Sequence, residues 1–221
     1  MKRDSEIQKD VMDELNWEPL LNAHEIGVAV KDGIVTLSGR VDTYTKKLKA
    51  EEAAKRIIGV TAVVVDIDVT IASFGKKSDV DIAEAAIAAL KWNVDVPKEK
   101  IKVTVEDGWI TLEGEVDWEY QKSAAKRAVH SLTSVKGVIN NIKVVSLIAP
   151  KDVKNKIFAA FHRSATVDAE RISILTEGSK VILSGKVRSY VEKRDAENAA
   201  WLAPGVNKVE NNLAIDTEVL V

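Results

Sequence analysis

The sequence predicts an α/β (α+β) two-layer sandwich built three times in tandem. Each copy runs helix, strand, strand, helix, strand around a three-stranded mixed sheet. Three observations predict this: a glycine-centred apolar segment that recurs at a near-constant period, an amphipathic stripe ahead of each occurrence, and an alanine-rich charged stretch behind it. The recurring segments are Val35–Val41, Ile110–Val116 and Val181–Val187, with Gly39, Gly114 and Gly185 spaced 75 and then 71 residues apart. Twenty residues after each glycine come Gly59-Val60, Ser134-Val135 and Gly205-Val206, followed three residues later by Val63, Val138 or Val209.

Each element then follows from its own pattern. Ile7, Val11, Met12 and Leu15 recur in register as Ile82, Ala86, Ile87 and Leu90, and as Val153, Ile157, Phe158 and Phe161. Their i, i+4, i+5, i+8 spacing defines one stripe of an amphipathic first helix. Asp4 and Asp79 are placed as its N-caps, with Pro150 taking the equivalent position in the third copy. The alternating runs Ile26-Val28-Val30, Ile101-Val103-Val105 and Ile172-Ile174 read as half-buried first strands. Asp32-Gly33 and Asp107-Gly108 supply a tight hairpin turn, and Glu177–Lys180 reads as a turn one residue longer. The glycine-centred segments are the second strands.

The second helices read as Lys46–Ile58, Gln121–Thr133 and Glu192–Ala203. Ala50, Ala125 and Ala196 match, as do Ala53, Ala128 and Ala199, and small residues on one helical face let the helix lie close to the sheet. Val65-Ile67-Val69, Asn140-Ile142-Val144 and Asn211-Leu213-Ile215 alternate as closing strands. A hairpin followed by a helical crossover brings the third strand home, with both helices on one face. The domains are accordingly expected at 1–73, 78–146 and 149–217, joined by short linkers.

Composition narrows the function classes. With no cysteine among 221 residues, disulfides, thiol nucleophiles and cysteine-ligated zinc are excluded. The 32 basic and 34 acidic residues nearly cancel, which argues against a general polyanion binder, so nucleic acid is not an expected partner. Apolar stretches such as Val60–Val65 are far shorter than the roughly 20 residues a membrane span needs. The start, Met1–Glu6, is charged and carries no leader pattern. The expectation is a cytoplasmic location, or a periplasmic one if a leader has been removed.

No enzymatic activity is expected. His24, His130 and His162 fall at non-equivalent positions, so no metal site and no cofactor are expected. Acid pairs such as Glu51-Glu52 or Glu113 with Glu115 read as solvated surface, and phosphate-loop, dinucleotide and nucleophile-elbow motifs are missing.

The apolar-x-Leu-x-Gly-x-Val strand, the Gly-Val pair twenty residues on and the closing Val-x-Asn-x-(Leu/Ile) strand resemble the BON domain over nearly the whole chain, three times. Ser134 in place of the second glycine, and Asp66 where Asn141 and Asn212 stand in the other copies, depart from the pattern. The resemblance implies a bacterial, stress-related protein that binds phospholipid surfaces or envelope components.

Several residues are candidates for such contacts. Trp17 and Trp92 are equivalent, just past the last anchor of the first helix, and Arg163 takes their place in the third copy. Each ring either lids the sandwich edge or meets a lipid or partner. Trp109 is out of phase with Ile110 and Leu112, so it belongs on the sheet face away from the helices, against another copy or an external partner. Basic clusters at Lys46-Lys47-Lys49 with Lys55-Arg56, at Lys98-Lys100-Lys102, and at Lys186, Arg188, Lys193 and Arg194 could meet anionic head groups. By copy with flanks the formal charge is −3, 0 and +1, which favours the third as the anionic-surface binder. The leading expectation is a noncatalytic protein engaging a phospholipid surface or an envelope protein. The alternative is a scaffold that binds protein partners or forms a homo-oligomer through sheet faces and edges.

Overall fold

The computed structural model describes residues 2–72, 75–145 and 152–216. The first copy contains α1 (Asp4–Trp17), β1 (Ile26–Lys31), β2 (Ile34–Val41), α2 (Tyr44–Arg56) and β3 (Ala62–Val69). The second contains α3 (Asp79–Trp92), β4 (Ile101–Glu106), β5 (Trp109–Val116), α4 (Glu119–Val129) and β6 (Gly137–Val144). The third contains α5 (Val153–Arg163), β7 (Ile172–Glu177), β8 (Lys180–Val187), α6 (Tyr190–Trp201) and β9 (Lys208–Ile215). A short 3-10 turn leads into each first strand.

In every sheet the second strand is central, with the orders β1-β2-β3, β4-β5-β6 and β7-β8-β9. The hairpin partners pair antiparallel. β6 and β9 return parallel to β5 and β8, the arrangement that a helical crossover permits. By packing, the chain divides into two compact units. One comprises Met1–Gly39, Lys49–Asp66 and Leu147–Val221, and the other Arg40–Leu48 and Ile67–Ser146.

The core of the third copy shows how each layer contributes. Ile157 and Phe161 of α5, Val181 and Leu183 of β8, and Ala196 and Ala200 of α6 are fully buried in one cluster. The matching alanines Ala50, Ala125 and Ala196 are each buried, as close helix-to-sheet packing requires. The position at i+5 in the first helix behaves otherwise. Met12, Ile87 and Phe158 are 47, 58 and 45% exposed, because a fifth-residue step rotates past the edge of a three-residue stripe.

The anchor glycines are demanded by a backbone contact. Gly39, Gly114 and Gly185 have φ of 136°, 140° and 126°, and a Cβ there would sit 2.1, 2.0 and 2.2 Å from the carbonyl oxygens of Glu25, Lys100 and Arg171. The chain entering the first strand therefore lies directly against the second. At the second shared position Gly59, Ser134 and Gly205 all have positive φ, so Ser134 holds the same bend at some strain.

Three local expectations are corrected. Asp4 and Asp79 are not N-caps: Arg3 and Ser78 hold those positions, and Ser78 Oγ accepts from the Asp81 N–H. The two aspartates sit one residue inside the helix and clamp the hairpin turn. Asp4 accepts from the Asp32 and Gly33 N–H groups at 2.8 and 3.0 Å, and Asp79 from those of Asp107 and Gly108 at 2.8 and 2.9 Å. Pro150 lies outside the described residues. The third hairpin has no extra residue, since Glu177 pairs with Lys180 and leaves Gly178-Ser179 as a two-residue turn. The second helices begin two residues earlier than expected and end before the bend at Gly59, Ser134 or Gly205. In α6 the earlier start follows from Ser189, whose hydroxyl accepts from the Glu192 N–H.

Candidate functional site

Trp17 and Trp92 do not lid the sandwich. Both lie at the last position of their helix and both are 83% exposed, because the buried stripe ends at Leu15 and Leu90, two residues earlier. Beside Trp92, Val94 is 98% exposed. Trp109 does occupy the outer sheet face, 44% exposed, with its indole lying over Gly137 of the neighbouring strand. A Cβ at Gly137 would come within 2.3 Å of that ring, so the glycine makes room for it.

Most of the expected basic clusters are already paired. Lys46 pairs with Asp42, Lys49 with Glu52, Lys55 with Glu51, Arg56 with Glu14 and Lys100 with Asp117. In the third copy Lys186 lies 3.6 Å from Asp216, and Lys193 donates to the Leu213 carbonyl. Arg194 is exposed and has no hydrogen-bond or ion-pair partner among the described residues.

Arg188 serves a structural carboxylate. Glu192, 3% exposed, accepts from the backbone N–H of Asp168 and Arg188 at 2.9 and 2.7 Å and from Arg188 Nε at 3.1 Å. Burial pushes its pKa up, but the two backbone donors and the guanidinium outweigh burial and hold the carboxyl below the ordinary range. Gln121 does the same work in the second copy, accepting from Asp117 and Trp118. Glu192→Ala is expected to cost about 2 kcal/mol by orphaning buried donors, and Glu192→Gln much less, as measured by chemical denaturation. Because the folded pKa is depressed, the carboxylate's contribution is present above the ordinary glutamate range. It is lost as pH falls through the depressed folded value.

The site that sequence reasoning missed is α5. It carries Lys154, Lys156 and Arg163 and no carboxylate, whereas α1 has a formal charge of −4 and α3 of −2. All three cations are exposed and none has an ion-pair partner among the described residues. Phe158 is on the same flank as Lys154, while Lys156 and Arg163 are on the other; its ring is 45% exposed and edge-on to His162 at 4.5 Å between ring centroids. Alongside runs a groove of about 390 Å³ between α5 and the end of α6. Ala159, Ala160, Ala199 and Leu202 line it, and Lys156 and Arg163 flank it.

The same groove in the first copy has the opposite character. It measures about 480 Å³ and presents Asp10, Asp13 and Glu14 beside Trp17. Lys2 and Arg56 already neutralise Asp10 and Glu14 there. The signal in the sequence was the missing carboxylate in Val153–Arg163, which a charge count over whole copies averages away. Among the described residues no group of side chains has metal-ligand geometry, and no helix is long and apolar enough to cross a membrane.

Three two-layer α/β units with open outer sheet faces and shallow helix-edge grooves define a class of small repeated modules. The chain belongs to the BON domain family, whose model matches residues 3–71, 78–146 and 151–217. It is similar to the osmotically-inducible protein Y of Escherichia coli, strain K12, with 31% identity over 144 residues, which is 63% of this chain and 72% of that protein. Among solved structures it aligns with CdsD, a structural protein of the type III secretion system of Chlamydia trachomatis. That match has 14% identity, covers 96% of this chain and 92% of that one, and has a TM-score of 0.27. The PrgH periplasmic domain aligns at 11% identity over 93% and 98% of the two chains, with a TM-score of 0.21. Similarity at that level carries no functional argument.

Proposed function

We propose that this chain is a noncatalytic, stress-related binding protein that engages anionic phospholipid surfaces peripherally, with the first helix of its third repeat as the leading contact. The observation that carries this reading is α5, a helix that bears three exposed, unpaired cations and an exposed phenylalanine and has no carboxylate. Each Lys or Arg near an anionic leaflet contributes about 1 kcal/mol, so the three together give a weak, salt-sensitive attraction of about 3 kcal/mol. Phe158 and Leu202, the latter 72% exposed, add apolar area that can enter the interface. Trp17 and Trp92 supply indoles suited to the head-group layer. Likeness to a protein named for osmotic induction supports the link to stress.

The test is co-sedimentation with neutral and anionic liposomes at low and moderate salt, beside a Trp17→Ala/Trp92→Ala double variant. The expected result is binding that needs anionic lipid, falls with salt and weakens severalfold without the indoles. Absence of sedimentation under every condition would overturn the reading.

A second reading, a scaffold that pairs through open sheets, is favoured by one patch. Trp109 and Ile139, 44 and 45% exposed, share the outer face of the second sheet, where Thr111 pairs with Ile139. A concentration-dependent oligomer abolished by Trp109→Ala would support it.

A further inference from the structure

Within one of the compact units the first and third repeats come together where α2 faces α6. Tyr190, at the start of α6, donates its hydroxyl to the Thr61 carbonyl at 2.9 Å, and Lys55 of α2 lies 5.8 Å from the centre of its ring. Ala53 is fully buried, whereas its counterparts Ala128 and Ala199 are only half-buried. The Tyr190 hydroxyl stays protonated beyond its usual range, chiefly because of burial.

Beside this contact a cleft of about 270 Å³ runs between α2 and α6. Its apolar part is Tyr190 and Val191. Its charged lining is Lys55, Arg56, Lys193 and Arg194 with Glu52 and Glu197. Lys55, Arg56 and Lys193 are held by partners of this chain, and Glu52 is neutralised by Lys49. Glu197 accepts from Asn211. Arg194 is the lining cation left without a partner among the described residues, and a guanidinium matches phosphate oxygens in a planar fork.

We propose that this seam binds a small phosphate monoester carried on a short apolar group. The phosphate, a dianion near neutral pH, sits against Arg194, and the apolar group lies on Tyr190 and Val191. Pockets for drug-sized ligands usually begin near about 300 Å³, so a cleft of about 270 Å³ restricts the ligand to a smaller molecule. The site needs both repeats, because neither supplies the lining alone. It is separate from α5 and does not depend on the membrane reading.

Phenyl phosphate is a suitable probe, titrated at low salt into the isotope-labelled full chain and followed by amide chemical shifts. The expected result is saturable shifts at Lys55, Tyr190, Val191 and Arg194 with a Kd of about 1 mM. Arg194→Glu, an exposed change whose fold the same spectrum verifies, is expected to weaken binding at least about tenfold by placing like charges together. Arg163→Glu is expected to leave it unchanged while reducing liposome binding, which separates this site from α5. Equal binding by Arg194→Glu, shifts confined to α5, equal affinity for inorganic phosphate, or no shift would each overturn the proposal.

Discussion

Gly185→Ala is expected to destabilise the third repeat by about 3 kcal/mol. The new Cβ would stand 2.2 Å from the Arg171 carbonyl oxygen, at a φ of 126° that side chains rarely adopt. Neither problem can be relieved locally. The opposing atom is backbone, and β7 is held in register with β8 from Ile172 to Glu177. A domain of this size loses roughly 4–8 °C of melting temperature per kcal/mol, so the shift is readily seen by thermal unfolding. Gly178→Ala is the control, because it too has positive φ but finds nothing within 4 Å of the added carbon. Its expected cost is about 1 kcal/mol. Equal losses from the two variants would show that backbone conformation, and not the close approach of the carbonyl, demands glycine.

Reversing the charge of α5 with Lys154→Glu, Lys156→Glu and Arg163→Glu together is expected to remove sedimentation with anionic liposomes. Removing three attractions of about 1 kcal/mol each weakens binding by over about a hundredfold, and the introduced carboxylates add repulsion. The fold should survive, since all three side chains are exposed and the buried Val153, Ile157 and Phe161 are untouched. Lys46→Glu with Lys49→Glu changes charge elsewhere, on side chains already paired with Asp42 and Glu52. That pair of changes is expected to reduce binding only slightly. If the two variants bind alike, net charge governs the interaction and α5 has no special part in it.

The order of elements was legible because a threefold pattern supplies its own controls. The anchor glycines, the matched alanines and the alternating strands agree across copies, and the structure places them as read. Side-chain roles at element ends were less legible. Asp4 looks like a cap because its type and place fit one, but its partner is a turn 28 residues away that no local pattern announces. Trp17 and Trp92 looked like lids because indoles usually bury area, yet exposure depends on where the packed stripe stops. Lys46, Lys49, Lys55 and Lys100 are paired with carboxylates of this chain, whereas Lys154 and Lys156 of α5 have no ion-pair partner among the described residues. Pairing across space decides which charges are available, and it leaves little trace in composition.

The carboxylate that joins the start of α1 and of α3 to the hairpin turn has no counterpart among the described residues of the third repeat, and in sequence Pro150 stands where Asp4 and Asp79 do. There the residue before α5, Asp152, is in the left-handed region with φ of 56°. Opening the first turn of α1 or α3 disturbs a bond to the sheet, so the free energy of that fluctuation includes part of the hairpin's. The first turn of α5 can open without that bond, as a smaller cooperative unit drawn from the low end of the local stability scale. The helix with the unpaired cations is therefore the one whose first turn can reshape against a surface while the strands beneath keep their register.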